Sequence, residues 1–536
     1  VLKNDVPILY IEAKDIGVSL DKVEKSDQMA RYFGYANLVL TDYLEFRFYR
    51  NGIRYEEPIN IADFDLKTRT ISPVIGNYER ASRTLIDFTQ SQKEPIKSGE
   101  HLAKIMGGRA QRIRDNVRQF FVSKSNTNEI ERVYETIKKL LVHDLTPEAF
   151  ADMYAQTLVY GLFVARFHDE SPNTFTRQEA RELVPASNPF LGHFFDHISG
   201  RNRNFDKRLS YIVDELCEVF AHADVKELMK QYFKDDLWGK EHRGPDPVIH
   251  FYEDFLKEYD SELRKKIGAY YTPLPVVKFI VRSIDKILQS EFGLTRGLAD
   301  TSKNSDGVHR VQVLDPAVGT GTFISAVIGN IFERIKREKQ DGTWTSYVHH
   351  ELLPRIHGFE LMMAPYTIAH LKLSMAFKET GFKYFNNTRL GIYLTNSLEQ
   401  SSIQQELLAF DFGAAIAEEG KKADEIKNKK PIMVVLGNPP YSGESSNIHY
   451  KGNDVYKFES DGSKLKERNS KWLNDDYVKF IRLAESLIEK TGEGIAAMIT
   501  AHGYIDNPTF RGMRHHLMQT FDKIYVLDLH WNANKN

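Results

Sequence analysis

The stretch Val311-Gln-Val-Leu-Asp-Pro-Ala-Val-Gly-Thr-Gly-Thr-Phe323 runs from an apolar segment into a glycine-rich turn and on into an apolar helical pattern. Val311 to Leu314 predicts a buried strand, while Gly319 and Gly321 permit a tight turn and close approach of backbone to a ligand. A plain strand-to-helix connection explains the same residues. The spacing is not the dinucleotide fingerprint, and the chain contains no GxxxxGK[ST] phosphate loop. Around this stretch, from Glu262 onward, short apolar runs alternate with helical patterns: Arg355 to Phe359, Gly391 to Leu394, Ile432 to Leu436, Gly494 to Ile499 and Lys523 to Leu527. That alternation predicts a doubly wound α/β sheet. The Lys-rich stretch Glu418 to Lys430 reads as a surface excursion before a buried strand.

Upstream the pattern changes twice. Residues 1 to about 75 read as strands around one helix: Ile8 to Ile11, a helix near Asp21 to Tyr35, then Asn37 to Leu40 and Leu44 to Tyr49, closed by the turn Arg50-Asn51-Gly52. From Asn77 to Tyr259 the chain reads as mostly helical, with amphipathic segments such as Glu129 to Val142 and Leu209 to Phe220. The expected division is 1–75, 76–260 and 261–536, since 536 residues exceed what one hydrophobic core holds. With 41% hydrophobic and 27% charged residues the composition is that of a soluble globular protein. Apolar runs such as Ile432 to Leu436 are too short to span a bilayer, and Val1 to Lys14 lacks a secretory pattern. The single Cys217 excludes an internal disulfide framework and any multi-cysteine metal site, which fits a reducing, cytoplasmic, prokaryotic setting with no membrane partner. A net charge of −2 requires any nucleic-acid surface to be local.

Asn438-Pro-Pro-Tyr441 follows the strand Ile432 to Leu436 and Gly437. The two prolines stiffen the loop and lack N–H donors, which leaves nearby carbonyls as fixed acceptors. Such a set suits a planar amino group: the Asn438 oxygen and the Pro439 carbonyl each accept one N–H, and Tyr441 stacks on the attached ring. A rigid proline turn with a capping Asn is the bland alternative.

Taken together, Asp315 to Phe323 and Asn438 to Tyr441 resemble the amino-methyltransferases that act on DNA adenine. The resemblance covers about residues 262 to 536 and implies a Rossmann-like doubly wound domain with a mixed seven-stranded sheet. It also implies S-adenosylmethionine as cofactor and double-stranded DNA as partner. Gly268-Ala-Tyr-Tyr-Thr-Pro273 is similar to the segment that holds the methionine end of the cofactor, which implicates Ala269, Tyr270, Tyr271, Thr272 and Pro273. In the glycine loop the resemblance implicates Asp315, Pro316, Ala317, Gly319, Gly321, Thr322 and Phe323. Glu360, with Leu361 after it, matches the acidic residue that grips the ribose hydroxyls, and Asn396 falls where a polar side chain contacts the cofactor adenine. The catalytic residues it implies are Asn438, Pro439, Pro440 and Tyr441, with Asn438 also beside the cofactor. Thr509 to Arg514 and Phe521 to His530 are similar to the later part of the same domain. The motif order resembles the gamma class, in which target recognition follows the catalytic domain. Trp531 stands where Gly is expected, and no recognition domain fits before Asn536, so one is expected after this segment or on a separate chain. By the same resemblance the target base is flipped out and methylated directly, with no metal and no covalent enzyme intermediate.

Near the start, Ile8-Leu-Tyr-Ile11 runs into Glu12-Ala-Lys14, which places an acidic residue and a lysine on one face of a strand end. Gln28 and Tyr32 share one helical face at i and i+4. This pattern resembles the E-x-K with Q-x3-Y of some PD-(D/E)xK nucleases, implying a partial nuclease fold in which Glu12 holds Mg²⁺, Lys14 orients water, and Gln28 and Tyr32 assist. A solvated strand end is the alternative. The family's upstream metal-binding Asp has one candidate, Asp5, but Lys3 to Pro7 reads as a hairpin turn, so the nuclease is expected to be incomplete here, its own Asp preceding Val1.

The helical middle resembles the connectors of single-chain type IIG and IIL restriction-modification enzymes. Its Arg109, Arg112, Arg114 and Arg118 fit either phosphate contacts or a solvated helix face. His193 and His197 have metal-ligand spacing in an aromatic context that favours packing. The expectation is therefore a site-specific DNA adenine-N6 methyltransferase fused to a restriction nuclease. The alternatives are a methyltransferase acting on RNA adenine or protein glutamine, and a non-catalytic DNA-binding defence subunit.

Overall fold

A computed structural model describes the chain except for residues 1, 4–5, 8, 34, 36, 51, 91–95, 97, 124–127, 172–173, 185–187, 200–205, 231–246, 261–271, 383–388, 401–410, 442–444, 446, 448, 468–469 and 530–536. It forms two compact units. The first comprises Val1–Tyr134, Thr146–Pro185 and Leu191–Ile267; the second comprises Glu135–Leu145, Ala186–Phe190 and Gly268–Asn536. Among the described residues no helix is long and apolar enough to cross a membrane.

In the first unit, Leu2–Lys3 pairs antiparallel with Val6–Pro7, the hairpin expected from Lys3 to Pro7. The main sheet follows: β1 (Tyr10–Ala13) runs parallel to β2 (Asn37–Thr41), which is antiparallel to β3 (Glu45–Arg50). The short β4 (Ile53–Arg54) and β5 (Ile59–Asn60) both pair antiparallel with β3. The helix expected over Asp21 to Tyr35 is two pieces, Leu20–Glu24 and Asp27–Tyr32. Ser26 breaks it: its hydroxyl donates to the Val23 carbonyl at 2.6 Å and accepts from Met29 N at 3.3 Å.

The helical part of this unit is organised by α1 (Gly99–Ser123), α2 (Pro147–His168), α3 (Lys207–Ala221) and α4 (Pro247–Tyr259). α2 is buried along most of its length and is apolar all round, as a central helix must be. The α1 arginines belong to neither expected class. Arg109 is fully buried, Arg112 pairs with Glu215 at 2.5 Å, Arg114 meets Asp260 at 3.3 Å, and Arg118 meets Asp152 at 3.1 Å. Arg112, Arg114 and Arg118 are internal ties, because Glu215 of α3, Asp152 of α2 and Asp260 just after α4 present carboxylates to that face.

The second unit is built on β6 (Gln312–Asp315), β7 (Ile356–Glu360), β8 (Ile392–Leu394), β9 (Ile432–Gly437) and β10 (Ile495–Met498). Spatial order is β8-β7-β6-β9-β10, and every pairing is parallel. The strands are short runs of Val, Ile and Leu because helices cover both faces. Those helices are α5 (Leu274–Ser290), α6 (Thr322–Arg337), α7 (Met363–Glu379), α8 (Asp411–Lys429), α9 (Asp476–Thr491) and α10 (Arg511–Thr520). The chain steps outward from β6 to β7 and β8, then returns to place β9 on the other side of β6. That reversal opens a crevice at the carboxyl ends of β6 and β9.

Among the described residues this sheet has five strands, all parallel. Two expectations are corrected here. Lys523 to Leu527 forms no strand, and Tyr525, Val526 and Leu527 are exposed. The Lys-rich stretch Glu418 to Lys430 is the second half of α8 and not a surface excursion. Its Ala423 and Ile426 pack against Leu314, Phe359 and Ile432, and Glu419 and Lys427 are buried beside them. The lysines mask a helical apolar stripe.

Candidate functional site

The crevice between β6 and β9 gathers most of the described methyltransferase motifs. After β6, the turn Pro316 to Gly321 reverses the chain into α6, with Gly321 at φ +84° as its left-handed N-cap. A Cβ at Gly321 would meet Ala369 of α7 at 3.4 Å, an ordinary contact, so it is the left-handed dihedral that favours glycine. Glu360, at the end of β7, holds this turn. One carboxylate oxygen accepts from Gly319 N at 2.8 Å and the other from Met362 N at 2.8 Å. Burial raises its carboxyl above the usual range. Each oxygen keeps a second lone pair, so the carboxylate can still accept from ligand hydroxyls.

Asp315 is buried at the end of β6, and desolvation pushes its carboxyl up to about 8, against the bond it accepts from Ala317 N at 3.1 Å. Gly437, last in β9, lies so close that a Cβ there would stand 2.7 Å from the Asp315 carboxylate. Thr322 and Phe323 are buried at the start of α6, where the Thr322 hydroxyl accepts from Lys372 Nζ at 3.0 Å. Pro316 is buried and its carbonyl accepts from the Ser397 hydroxyl; Ala317 and Leu361 are half-buried.

The tetrapeptide Asn438 to Tyr441 begins where β9 ends. The Asn438 amide donates from Nδ2 to the Thr272 hydroxyl at 3.1 Å, whereas its Oδ1 is buried and has no hydrogen-bond partner among the described residues. Pro439 is buried and Pro440 exposed. Tyr441 is half-buried and packs on the cluster of Tyr456, Tyr477, Phe510 and their neighbours. Pro273 caps α5 directly after Thr272; Ala269, Tyr270 and Tyr271 lie outside the described residues.

Asn396 makes one bond through each of its amide atoms, which leaves one N–H and one lone pair. Its Nδ2 donates to Asn447 Oδ1 at 2.8 Å and its Oδ1 accepts from Leu398 N at 3.1 Å. Asn447 belongs to a buried polar network that sequence reading missed. Asp476 accepts from Asn447 Nδ2 at 3.0 Å and from the Ser445 hydroxyl at 2.5 Å, and Lys479 donates to Ser445 Oγ at 2.7 Å and to the Asn447 carbonyl at 2.5 Å. Desolvation lowers the Lys479 ammonium. The available signal was Asp476 and Lys479 at i and i+3 in the otherwise apolar first turn of α9.

More than half of the chain, residues 243–519, matches the family model described as N-6 DNA Methylase. The chain belongs to the N-6 DNA methylase family. The putative type II restriction enzyme and methyltransferase of Methanocaldococcus jannaschii is 22% identical over 238 residues, spanning 39% of this N-6 DNA methylase chain and 19% of that protein. The DrdV–DNA complex, solved by cryo-electron microscopy, is similar at TM-score 0.53 and 20% identity over 96% of this chain and 44% of that one. A nuclease-deletion mutant of the Type ISP restriction-modification enzyme LlaGI, in complex with a DNA substrate mimic, is similar at TM-score 0.54 and 21% identity over 83% and 33%. At these identities the structural likeness concerns the fold. The chain spans less than half the length of each of these proteins. Membership in the N-6 DNA methylase family implies S-adenosylmethionine as methyl donor. The crevice fits that molecule, with a glycine turn admitting close approach, a carboxylate with spare acceptor capacity and an unpartnered amide oxygen.

In the first unit, Glu12, Lys14, Gln28 and Tyr32 form one network. Lys14 Nζ donates to Glu12 Oε1 at 2.5 Å and to Gln28 Oε1 at 3.3 Å, and Gln28 Nε2 donates to Glu12 Oε1 at 3.3 Å and to the Tyr32 hydroxyl at 3.1 Å. Beside it a cleft of about 240 Å³ is lined by Gln28, Tyr32, Tyr35, Gln111, Arg112 and Asp115. Sequence reading did not connect α1 with this cleft. Arg112 donates to the Tyr10 hydroxyl at 3.0 Å and lies 4.6 Å from the Tyr35 ring centroid, which stacks on Tyr10 at 3.9 Å. Asp5 lies outside the described residues. Among the described residues the groups of three potential metal ligands do not include Glu12.

Proposed function

We propose that this chain transfers a methyl group from S-adenosylmethionine to N6 of an adenine flipped out of duplex DNA, as part of a restriction-modification enzyme. The observation that carries the reading is Asn438. Its amide nitrogen is tied to Thr272, and its buried oxygen is left, among the described residues, as an unpartnered acceptor at the mouth of the β6–β9 crevice. A buried acceptor without a partner costs about 1–3 kcal/mol, a cost that a substrate N–H removes on binding.

In this reading the Asn438 oxygen and the Pro439 carbonyl accept the two N–H groups of the adenine amine, and Tyr441 stacks on the base. These bonds draw the nitrogen lone pair out of conjugation and aim it into the crevice. Glu360 accepts from the ribose hydroxyls, and Gly319 and Gly321 let backbone approach the donor's methionine end, which Thr272 and its neighbours flank. Bound there, S-adenosylmethionine supplies an electrophilic methyl group. Catalysis by the chain's own residues is then positioning and electrostatics in a site that excludes water. Labelled methyl donor offered with duplex DNA, RNA and protein tests the reading. Label in DNA adenine is expected; label in RNA or in protein glutamine instead would overturn it.

A second reading concerns the first unit, favoured by the joining of Glu12, Lys14, Gln28 and Tyr32 in one network. We infer a nuclease-like site of the PD-(D/E)xK kind. The described residues do not fit a magnesium ion on their own, because Glu12 stands without a second carboxylate beside it and is already neutralised by Lys14. No hydrolytic step is derived for it.

A further inference from the structure

Between the catalytic tetrapeptide and α9 lies a segment that neither the sheet nor the cofactor crevice accounts for. Gly452–Lys457 is one helical turn, and the chain then folds back on itself through an antiparallel bridge between Phe458 and Lys464. The reversal is closed by Glu459 N on the Ser463 carbonyl at 2.8 Å and Leu465 N on the Lys457 carbonyl at 2.9 Å. Its base is rigid. Arg511 at the start of α10 makes a bidentate pair with Glu459 and a further pair with Glu467, and a Cβ at Gly512 would strike the carbonyls of Tyr456 and Phe458 at 2.4 and 2.3 Å. The base is also continuous with the candidate active site, because Tyr441 and Leu465 pack on the same cluster as Tyr456 and Leu473.

The outer face of this hairpin carries an unusual pair of features. Phe458 is 41% and Trp472 40% exposed, although each is large and apolar. Lys464, bridged to Phe458, is exposed, as are Lys466 and Lys471, and Lys471 Nζ lies 5.2 Å from the Trp472 ring centroid. Of the carboxylates on this segment, Glu459 and Glu467 are held by Arg511 and Asp454 by Lys457 at 2.7 Å, while Asp461, exposed at the turn, accepts from Ser463 N at 2.9 Å and offsets one of the three lysines. A face of cations interleaved with exposed rings, on a rigid support, matches a polyanion that also offers flat bases. In a chain whose net charge is −2, this is a local basic surface of the kind DNA needs.

We propose that Phe458, Lys464, Lys466, Lys471 and Trp472 form a DNA-contacting surface of the methyltransferase. Lys464, Lys466 and Lys471 meet phosphates flanking the target adenine, and Phe458 and Trp472 stack on bases exposed there. The assignment rests on the DNA-methyltransferase reading above and adds to it the surface that grips the strand.

The test uses the whole chain, with S-adenosylhomocysteine present and a fluorescein-labelled DNA duplex as probe, titrated over a range of KCl. Every phosphate that a lysine no longer neutralises lowers the slope of log K against log salt by about 0.9, so replacing all three lysines by Ala should flatten it by about 2.7. Tryptophan emission should be quenched by DNA in the unaltered chain and lose most of that quench in Trp472→Phe. Calorimetric affinity for S-adenosylhomocysteine should stay unchanged in both variants, which shows that they are folded. An unaltered slope and quench, with the unaltered chain still binding and methylating DNA, would overturn this surface alone. An unaltered chain that binds no duplex would overturn both this surface and the reading on which it rests.

Discussion

The hydroxyl of Thr272 accepts a hydrogen bond from the amide of Asn438 at 3.1 Å, joining the residue before the α5 cap to the first residue after β9. The bond uses one N–H of the Asn438 amide and fixes the rotation of the carboxamide, and with it the position of the oxygen. Thr272→Val removes the acceptor and frees the amide to rotate. Misplacing a reacting group by an ångström costs up to about a hundredfold, so kcat should fall by roughly ten- to a hundredfold with donor affinity nearly unchanged. Thr272→Ser should recover most of the rate. Single-turnover methylation and calorimetry separate the two quantities, and an equal loss in both would mean that Thr272 serves the cofactor alone.

Asn438→Ala deletes the acceptor itself. Removing one preorganised polar group from a transition-state site costs about a hundred- to a thousandfold, and methyl transfer should drop by at least that much. Affinity for S-adenosylmethionine should remain close to that of the unaltered chain. If cofactor binding disappears in parallel, the tetrapeptide is a structural turn.

Glu360 holds Gly319 N and Met362 N whether or not ligand is bound. Glu360→Ala removes those bonds and the proposed ribose contact together. Hydrogen bonds to a charged group contribute about 1.5–3 kcal/mol each, so affinity for the methyl donor should weaken by roughly ten- to a hundredfold or more. Calorimetric titration reads this directly, and unchanged affinity would remove Glu360 from the site.

Asp315 gives a pH dependence with a definite sign. Its carboxyl is raised from an ordinary value of 3.8 to about 8 by burial, so the folded chain holds a proton that the unfolded chain releases. That contribution to stability is complete below the unfolded value, and it is lost as pH rises through the window up to about 8. Asp315→Asn, which cannot ionise, should flatten the fall in stability over that window. Denaturant midpoints measured from acid to mildly alkaline pH check it; an unchanged slope would show that Asp315 is charged in the fold.

At Glu12 the prediction is a negative one. With Lys14 on the carboxylate and no group of three ligands around it among the described residues, calorimetry with Mg²⁺ should show no saturable site that Glu12→Ala removes. Mg²⁺-dependent nicking of DNA that Asp5→Ala abolishes would show that Asp5 completes the metal site.

Much of the second unit was legible because its strands are short and apolar on both faces, and each is followed by its own punctuation. Asp315 to Gly321 and Asn438 to Tyr441 announce the two loops that meet at the crevice. What stayed hidden depends on tertiary partners. The α1 arginines look like a solvated face until Glu215, Asp152 and Asp260 arrive from elsewhere in the chain. In α8 the lysine-rich surface turns conceal Ala423 and Ile426, so composition suggested a loop where the periodicity is helical. Asn396 reads as a free polar contact, yet Asn447, far along the chain, accepts from its amide. In Lys523 to Leu527, β propensity alone did not make a strand, because pairing requires a neighbour.

That last stretch bears on how the chain behaves in concentrated solution. β10 stands at the edge of its sheet, and Tyr525, Val526 and Leu527 are 72%, 56% and 60% exposed in an extended run. Unpaired edges and extended apolar segments recruit one another between molecules, and native proteins blunt them with charge. The chain should therefore self-associate at high concentration. Placing Lys at Val526 and Glu at Leu527 should keep it dispersed, without touching the crevice where the chemistry is proposed.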